Sequence, residues 1–149
     1  AILVAQFTRL PEQMQMRAAN ARYLAAALAD VRGLDTLPAD KRVTQHAHHL
    51  FVIRYDPGAF GGRSRDQFLA AWQAEGITPT AAGYVPLTRA PAIQRAMRER
   101  WEITALPACP HAEYAATHTL WIMQYALLGT TQDMDDIVTA ARKIQAAWG

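Results

Sequence analysis

One cysteine, two lysines and the lack of any long apolar run set the first limits on this chain of 149 residues. A lone Cys109 excludes an internal disulfide framework and cannot by itself supply a cysteine-based zinc site. Lys41 lies in a polar stretch and Lys143 on a helix with polar neighbours, so neither has the desolvated surroundings that a Schiff-base lysine requires. No apolar segment approaches the roughly 20 residues of a membrane-crossing helix. The apolar start, Ala1-Ile2-Leu3-Val4-Ala5, lacks the basic n-region and cleavage site of a signal peptide, so a cytoplasmic protein with no membrane contact is expected. A net charge of +2 is too small a bias for general nucleic-acid binding. Arg95, Arg98 and Arg100 read as the solvated face of a short helix, or as a patch that meets phosphate or an acidic surface.

No repeat, low-complexity tract or linker divides the chain, and 51% hydrophobic residues suit one domain, 1–149, with one core. Ile2, Leu3, Phe7 and Leu10 form an apolar stripe ahead of Pro11, which opens a second helical segment. From Glu12 to Val31 the positions Met16, Ala19, Tyr23, Ala26, Ala27 and Val31 recur at helical spacing, and Gly33 ends the pattern. A turn-rich connector through Leu37-Pro38-Ala39-Asp40 leads to Leu50-Phe51-Val52-Ile53-Arg54-Tyr55, a heavily packed strand stopped by Asp56-Pro57-Gly58. Ser64 and Gln67 make a capping box for a helix that Gly76 terminates, and a strand follows it. A short helix over 92–101, another from Pro110, a strand over Thr119–Met123 and a last amphipathic helix after Thr130 complete the order. Met134, Ile137, Val138, Ala141, Ile144 and Trp148 line one face of that last helix. Three convincing strands predict an α+β fold: a small, mainly antiparallel three-stranded sheet with helices packed on one face.

The segment from Gly83 to Pro91 carries the polar side chains best placed for function. Pro86 and Pro91 restrict their own φ and push the residues before them into extended geometry, so Tyr84, Thr88 and Arg89 are held at low entropic cost. Its plainer reading is a surface crossover. His46 and His48 would point the same way on a strand and, with His49, offer imidazole to a metal. No acidic residue or cysteine nearby completes the set, so polar residues at a strand entrance are the better reading and no metal is expected. His111 and His118 are about two helical turns apart, too far to share an ion. Cys109 with His111 lacks an orienting third group, and the glycines 58, 61 and 62 match no phosphate-binding fingerprint. Trp72, Trp101 and Trp121 read as core or interface anchors.

Seven blocks in register carry a resemblance. They are Arg17…Asn20-Ala21…Leu24, His49-Leu50-Phe51-Val52-Ile53-Arg54-Tyr55, Ser64-Arg65-Asp66-Gln67-Phe68, Ala74-Glu75-Gly76-Ile77, Tyr84-Val85-Pro86-Leu87, Cys109-Pro110-His111-Ala112-Glu113 and Thr131-Gln132-Asp133-Met134-Asp135-Asp136-Ile137-Val138…Ala140…Lys143-Ile144. Together they resemble the carboxy-terminal part of the DegT/DnrJ/EryC1/StrS family of sugar aminotransferases. The resemblance implies the small domain of a homodimeric, pyridoxal-phosphate-dependent enzyme of the aspartate-aminotransferase fold. Such an enzyme moves an amino group from glutamate or glutamine to a keto sugar or keto cyclitol in sugar or antibiotic biosynthesis.

It implies also that the cofactor-bearing lysine, the Asp that pairs with the pyridinium and the ring-stacking aromatic belong to a preceding large domain. No catalytic or cofactor-binding residue is then expected in this chain, no cofactor on it alone, and a covering domain ahead of its apolar start. The loop matching Tyr84 to Arg89 faces the substrate side of the cofactor in the family, which makes Tyr84, Thr88 and Arg89 the substrate-binding candidates. Thr88 stands where many members carry His and a cyclitol subgroup Tyr. Gly83-Tyr84…Pro86-Leu87, Arg89, Pro91 and Trp121 favour the cyclitol subgroup. The alternative is a free-standing, non-catalytic dimerisation or binding module.

Overall fold

The computed structural model describes residues 2–38, 40–105 and 107–149; Ala1, Ala39 of the predicted connector, Leu106 and the side chain of Ile2 lie outside the described residues. Helix α1 (Ile2–Phe7) and helix α2 (Leu10–Leu28) open the chain, with Pro11 in the first turn of α2 where its missing N–H is tolerated. Strand β1 (Leu34–Thr36), strand β2 (Leu50–Tyr55), helix α3 (Arg65–Ala74) and strand β3 (Thr80–Ala82) follow. Helix α4 (Pro91–Trp101), helix α5 (Pro110–His118), strand β4 (Thr119–Met123) and helix α6 (Thr131–Trp148) complete the order. The strands form one sheet in the order β1-β2-β4-β3, with every neighbouring pair antiparallel.

The sheet therefore has four strands where the sequence predicts three. Strand β1 escapes periodicity because it is only three residues long. Pairing with β2 makes it a strand, through Leu34 opposite Tyr55 and Thr36 opposite Ile53. An exposed ion pair between Asp35 and Arg54 at 2.7 Å spans the same pair of strands.

One face of the sheet holds the core. Phe51, Ile53 and Tyr55 of β2 and Leu120 and Ile122 of β4 point into it, as alternation requires. Leu24 and Leu28 of α2, Phe68 and Trp72 of α3, and Met134, Ile137 and Ala141 of α6 cover them. Rings of Tyr55, Phe60, Phe68 and Trp72 form a chain with centroids 5.0 to 5.2 Å apart. Each large side chain buried there contributes about 1.5–3 kcal/mol. The indole Nε1 of Trp72 donates to the carbonyl of Ile137 at 3.2 Å, so its polar atom is satisfied.

The buried stripe of α2 differs from the predicted one. Ala21, Leu24 and Leu28 are buried, with Val31 beyond the helix, while Met16 and Tyr23 are about 40% exposed. In so alanine-rich a helix two overlapping stripes satisfy the same period, and packing against α6 selects between them. Tyr23 instead donates its hydroxyl to Asp135 of α6 at 2.6 Å. Both predicted capping boxes form, at Ser64 with Gln67 and at Thr130 with Asp133. Gly76 takes φ +94°, a conformation other residues rarely adopt.

Candidate functional site

Tyr84, Thr88 and Arg89 follow β3 on a loop tied down at several points. At its root, the Gly83 amide donates to the carbonyl of Thr119 on β4 at 3.3 Å. A Cβ on Gly83 would lie 3.1–3.2 Å from the carbonyls of Ala116 and Ala115 and from Thr119 Oγ1, so glycine permits this close approach to the end of α5. Beyond it, Pro86 leads into a 3₁₀ turn over Leu87–Arg89, in which Arg89 N donates to Pro86 O at 2.8 Å. Gln94 of α4 donates to the Thr88 carbonyl at 2.8 Å. Arg89 Nε lies 2.8 Å from the Glu113 carboxylate, which joins the turn to α5.

Each predicted residue has its own setting. Tyr84 is 76% exposed, and its ring lies 5.0 Å from that of Trp121, inclined by 32°. Thr88 lines a shallow, open pocket of about 200 Å³ with Gln94, Arg98, Ile103 and Thr104. Neither Tyr84 nor Arg89 lines that pocket, so the three residues share a loop rather than a single concavity. The partners Glu113, Gln94 and Trp121 come from three other elements. Nothing in local spacing pairs Arg89 with a residue 24 positions away.

Arg65 fastens the α5–β4 junction beneath this loop. Its buried guanidinium donates from Nη1 to the carbonyls of Ala116 at 2.8 Å and Thr119 at 2.6 Å, and from Nε to Asp66 at 2.7 Å. A buried charge with this many acceptors is stable, and it satisfies a helix-end carbonyl that would otherwise be bare. The sequence offers no local cue to this role, since Arg65 in the first turn of a helix reads as solvated.

The histidines do not lie on a strand, because β2 begins only at Leu50. His48 takes a left-handed φ of 47° and donates its amide to His46 Nδ1 at 2.8 Å, bringing the two rings to 4.3 Å. His49 Nδ1 is 3.2 Å from Gln124 Oε1. Burial, with the positive surroundings of His46, Arg17 and Arg22, pushes the His48 pKa down. Among the described residues no group of three or more His, Cys, Asp or Glu is placed to hold a metal ion. Cys109 sits just ahead of α5, with Pro110 at the first helical position. No helix among the described residues is long and apolar enough to cross a membrane.

Both lysines lie at the surface. Lys143 Nζ is ion-paired to Glu75 at 2.7 Å on the exposed side of α6, and Lys41 lies exposed in a turn. Neither lines the pocket beside Thr88. Such exposed lysines lack the desolvated setting that an imine-forming lysine requires.

Residues 1–142 match the DegT/DnrJ/EryC1/StrS aminotransferase family. An L-glutamine:2-deoxy-scyllo-inosose aminotransferase of Streptomyces paromomycinus is 30% identical over 156 residues, covering 97% of this chain and 36% of the relative. The enzyme of the same name from Streptomyces fradiae is 29% identical over 156 residues, with the same coverage. Among solved structures, the aminotransferase TlmJ from Streptoalloteichus hindustanus superposes with a TM-score of 0.75 at 23% identity, covering 97% of this chain and 35% of that one. The chain thus spans about a third of the length of its relatives, and its small antiparallel sheet with helices is a part of the aspartate-aminotransferase-like fold. The match along nearly the whole chain shows that it belongs to the DegT/DnrJ/EryC1/StrS aminotransferase family.

Proposed function

We propose that this chain is the small domain of a pyridoxal-phosphate-dependent aminotransferase that moves an amino group from glutamine, or glutamate, to a keto cyclitol or keto sugar. The observation that carries this reading is the similarity, along 97% of the chain, to relatives named for glutamine and an inosose as substrates. The cofactor would supply the amino-group relay and is held by residues outside this chain. The part of this chain is to wall the substrate side. Tyr84 and Arg89 present a phenol and a guanidinium that suit the hydroxyls of a polyol ring, and Thr88 offers a small hydroxyl where a bulkier side chain would narrow the site. The enzyme works as a cytoplasmic homodimer.

The test uses the longer protein encoded with this chain, assayed for glutamine-dependent amination of 2-deoxy-scyllo-inosose. Tyr84→Ala and Arg89→Ala are each expected to lower kcat/KM about tenfold or more, the loss of roughly one well-made polar contact. The 149-residue chain alone should give no borohydride-trappable adduct with pyridoxal phosphate. Transamination by the isolated chain, or a longer protein indifferent to both substitutions, would overturn the reading.

A further inference from the structure

Trp121 is buried, yet it belongs to the face of the sheet that looks away from the core. It stands opposite Val52 on β2 and Ala81 on β3, whereas its neighbours Leu120 and Ile122 point into the core. Ala81 beside it on β3 is small, and the ring of Tyr84 lies 5.0 Å from the indole. Among the described residues no acceptor meets the indole Nε1–H, although that atom is shielded from solvent. Packing alone disfavours tryptophan here, since a shielded, unpaired N–H is unfavourable where phenylalanine or leucine would fill the space without it. What the indole adds is a broad, rigid aromatic face.

We propose that Trp121 is a positioning residue for Tyr84: seated between two strands, its ring is the platform that holds the exposed phenol in one orientation on the loop. This rests on the reading of Tyr84 as a substrate-side residue. A tyrosine this exposed, just beyond the loop root, would otherwise sample several rotamers. The stack favours one of them by about two- to tenfold in population, the worth of an aromatic pair. The loop root is built to aim the ring there. Gly83 brings the backbone against the end of α5, and the Arg89–Glu113 pair fixes the far side of the turn. The platform and the phenol then act as one unit, with the hydroxyl left free to meet a ligand.

Two measurements test this. In the 149-residue chain, NMR of labelled tyrosine should show Tyr84 ring protons shifted upfield by the indole. The shift should be lost in Trp121→Leu and largely kept in Trp121→Phe, with amide spectra of the core confirming that each variant folds. In the longer enzyme, Trp121→Leu should raise KM for the keto cyclitol by about two- to tenfold with kcat little changed. Trp121→Phe should restore most of the loss, and Trp121→Leu should add nothing to Tyr84→Ala. Random-coil shifts for Tyr84 in the parent chain, or additive effects of the two substitutions, would overturn the proposal. A Tyr84→Ala enzyme with unchanged KM would instead remove Tyr84 from the substrate site, leaving the stack to be judged by the NMR result.

Discussion

Tyr55 carries its hydroxyl through the core and donates it to the carbonyl of Arg63 at 2.8 Å. Burial, with the charge of Asp56 as a smaller cause, pushes its pKa up to about 12. The unfolded chain loses this proton near pH 10 while the folded one keeps it, so the contribution is complete below pH ~10 and is lost as pH rises from there toward the folded value. Thermal melts across the alkaline range should show this decline, and Tyr55→Phe should flatten it while costing about 1 kcal/mol at neutral pH for the lost bond. Asp133 acts at the opposite end of the scale. Hydrogen bonds from the Thr130 hydroxyl and amide hold its carboxyl below the usual carboxylate value. Its contribution is complete above about pH 4 and is lost as pH falls through the depressed value. Melts between about pH 2 and 5 should find Asp133→Asn less sensitive to acid than the parent chain.

Elements differ sharply in how well the core holds them. No described residue from Ala81 to Thr119 is buried, and α4 packs chiefly on the 87–89 turn. Amides of α4 should therefore exchange with solvent through local opening, orders of magnitude faster than those of β2 and β4, in hydrogen-exchange mass spectrometry. Elsewhere a single side chain joins distant elements. Asn20 of α2 donates to the carbonyls of Leu127 and Gly129 at 2.9 and 2.8 Å, holding the turn that precedes α6. Asn20→Ala should cost about 1–3 kcal/mol in denaturant unfolding, because both carbonyls lose their donor. This also marks where sequence stops being a guide. Strand β2 is legible because five of its six residues are apolar, mostly β-branched or aromatic, and allow little else, and the capping boxes because their chemistry is local. Strand β1 and the buried stripe of α2 depend on what lies across the fold. So does the candidate site. The prolines reveal a stiff loop bearing Tyr84, Thr88 and Arg89, but the Trp121 stack, the Glu113 pair and the Arg65 clamp exist only once β3, β4, α3 and α5 have met.

At the scale of the molecule, apolar surface remains at the start of the chain. Leu3, Val4 and Phe7 on α1 are each more than 60% exposed, a contiguous stripe with nothing over it among the described residues. Light scattering on the 149-residue chain should detect association that grows with concentration, and replacing these three residues by serine should leave a monomer. A strict monomer at high concentration before any substitution would contradict this. The longest-range feature is the pairing of α2 with α6. Tyr23 reaches Asp135, Asn20 reaches Leu127, and Gln145 donates to the carbonyl of Arg32, all across more than 100 residues of sequence. The cover over the sheet is thus shared between a helix near the start of the chain and the last one. A ribosome making this segment must finish α6 before the cover over the sheet is complete, and until then part of the apolar surface of α2, α3 and the strands stays bare. Folding on this plan is slow to nucleate and exposed to aggregation during synthesis. A chain stopped at Gly129 should emerge as a chaperone client rather than as a smaller native domain.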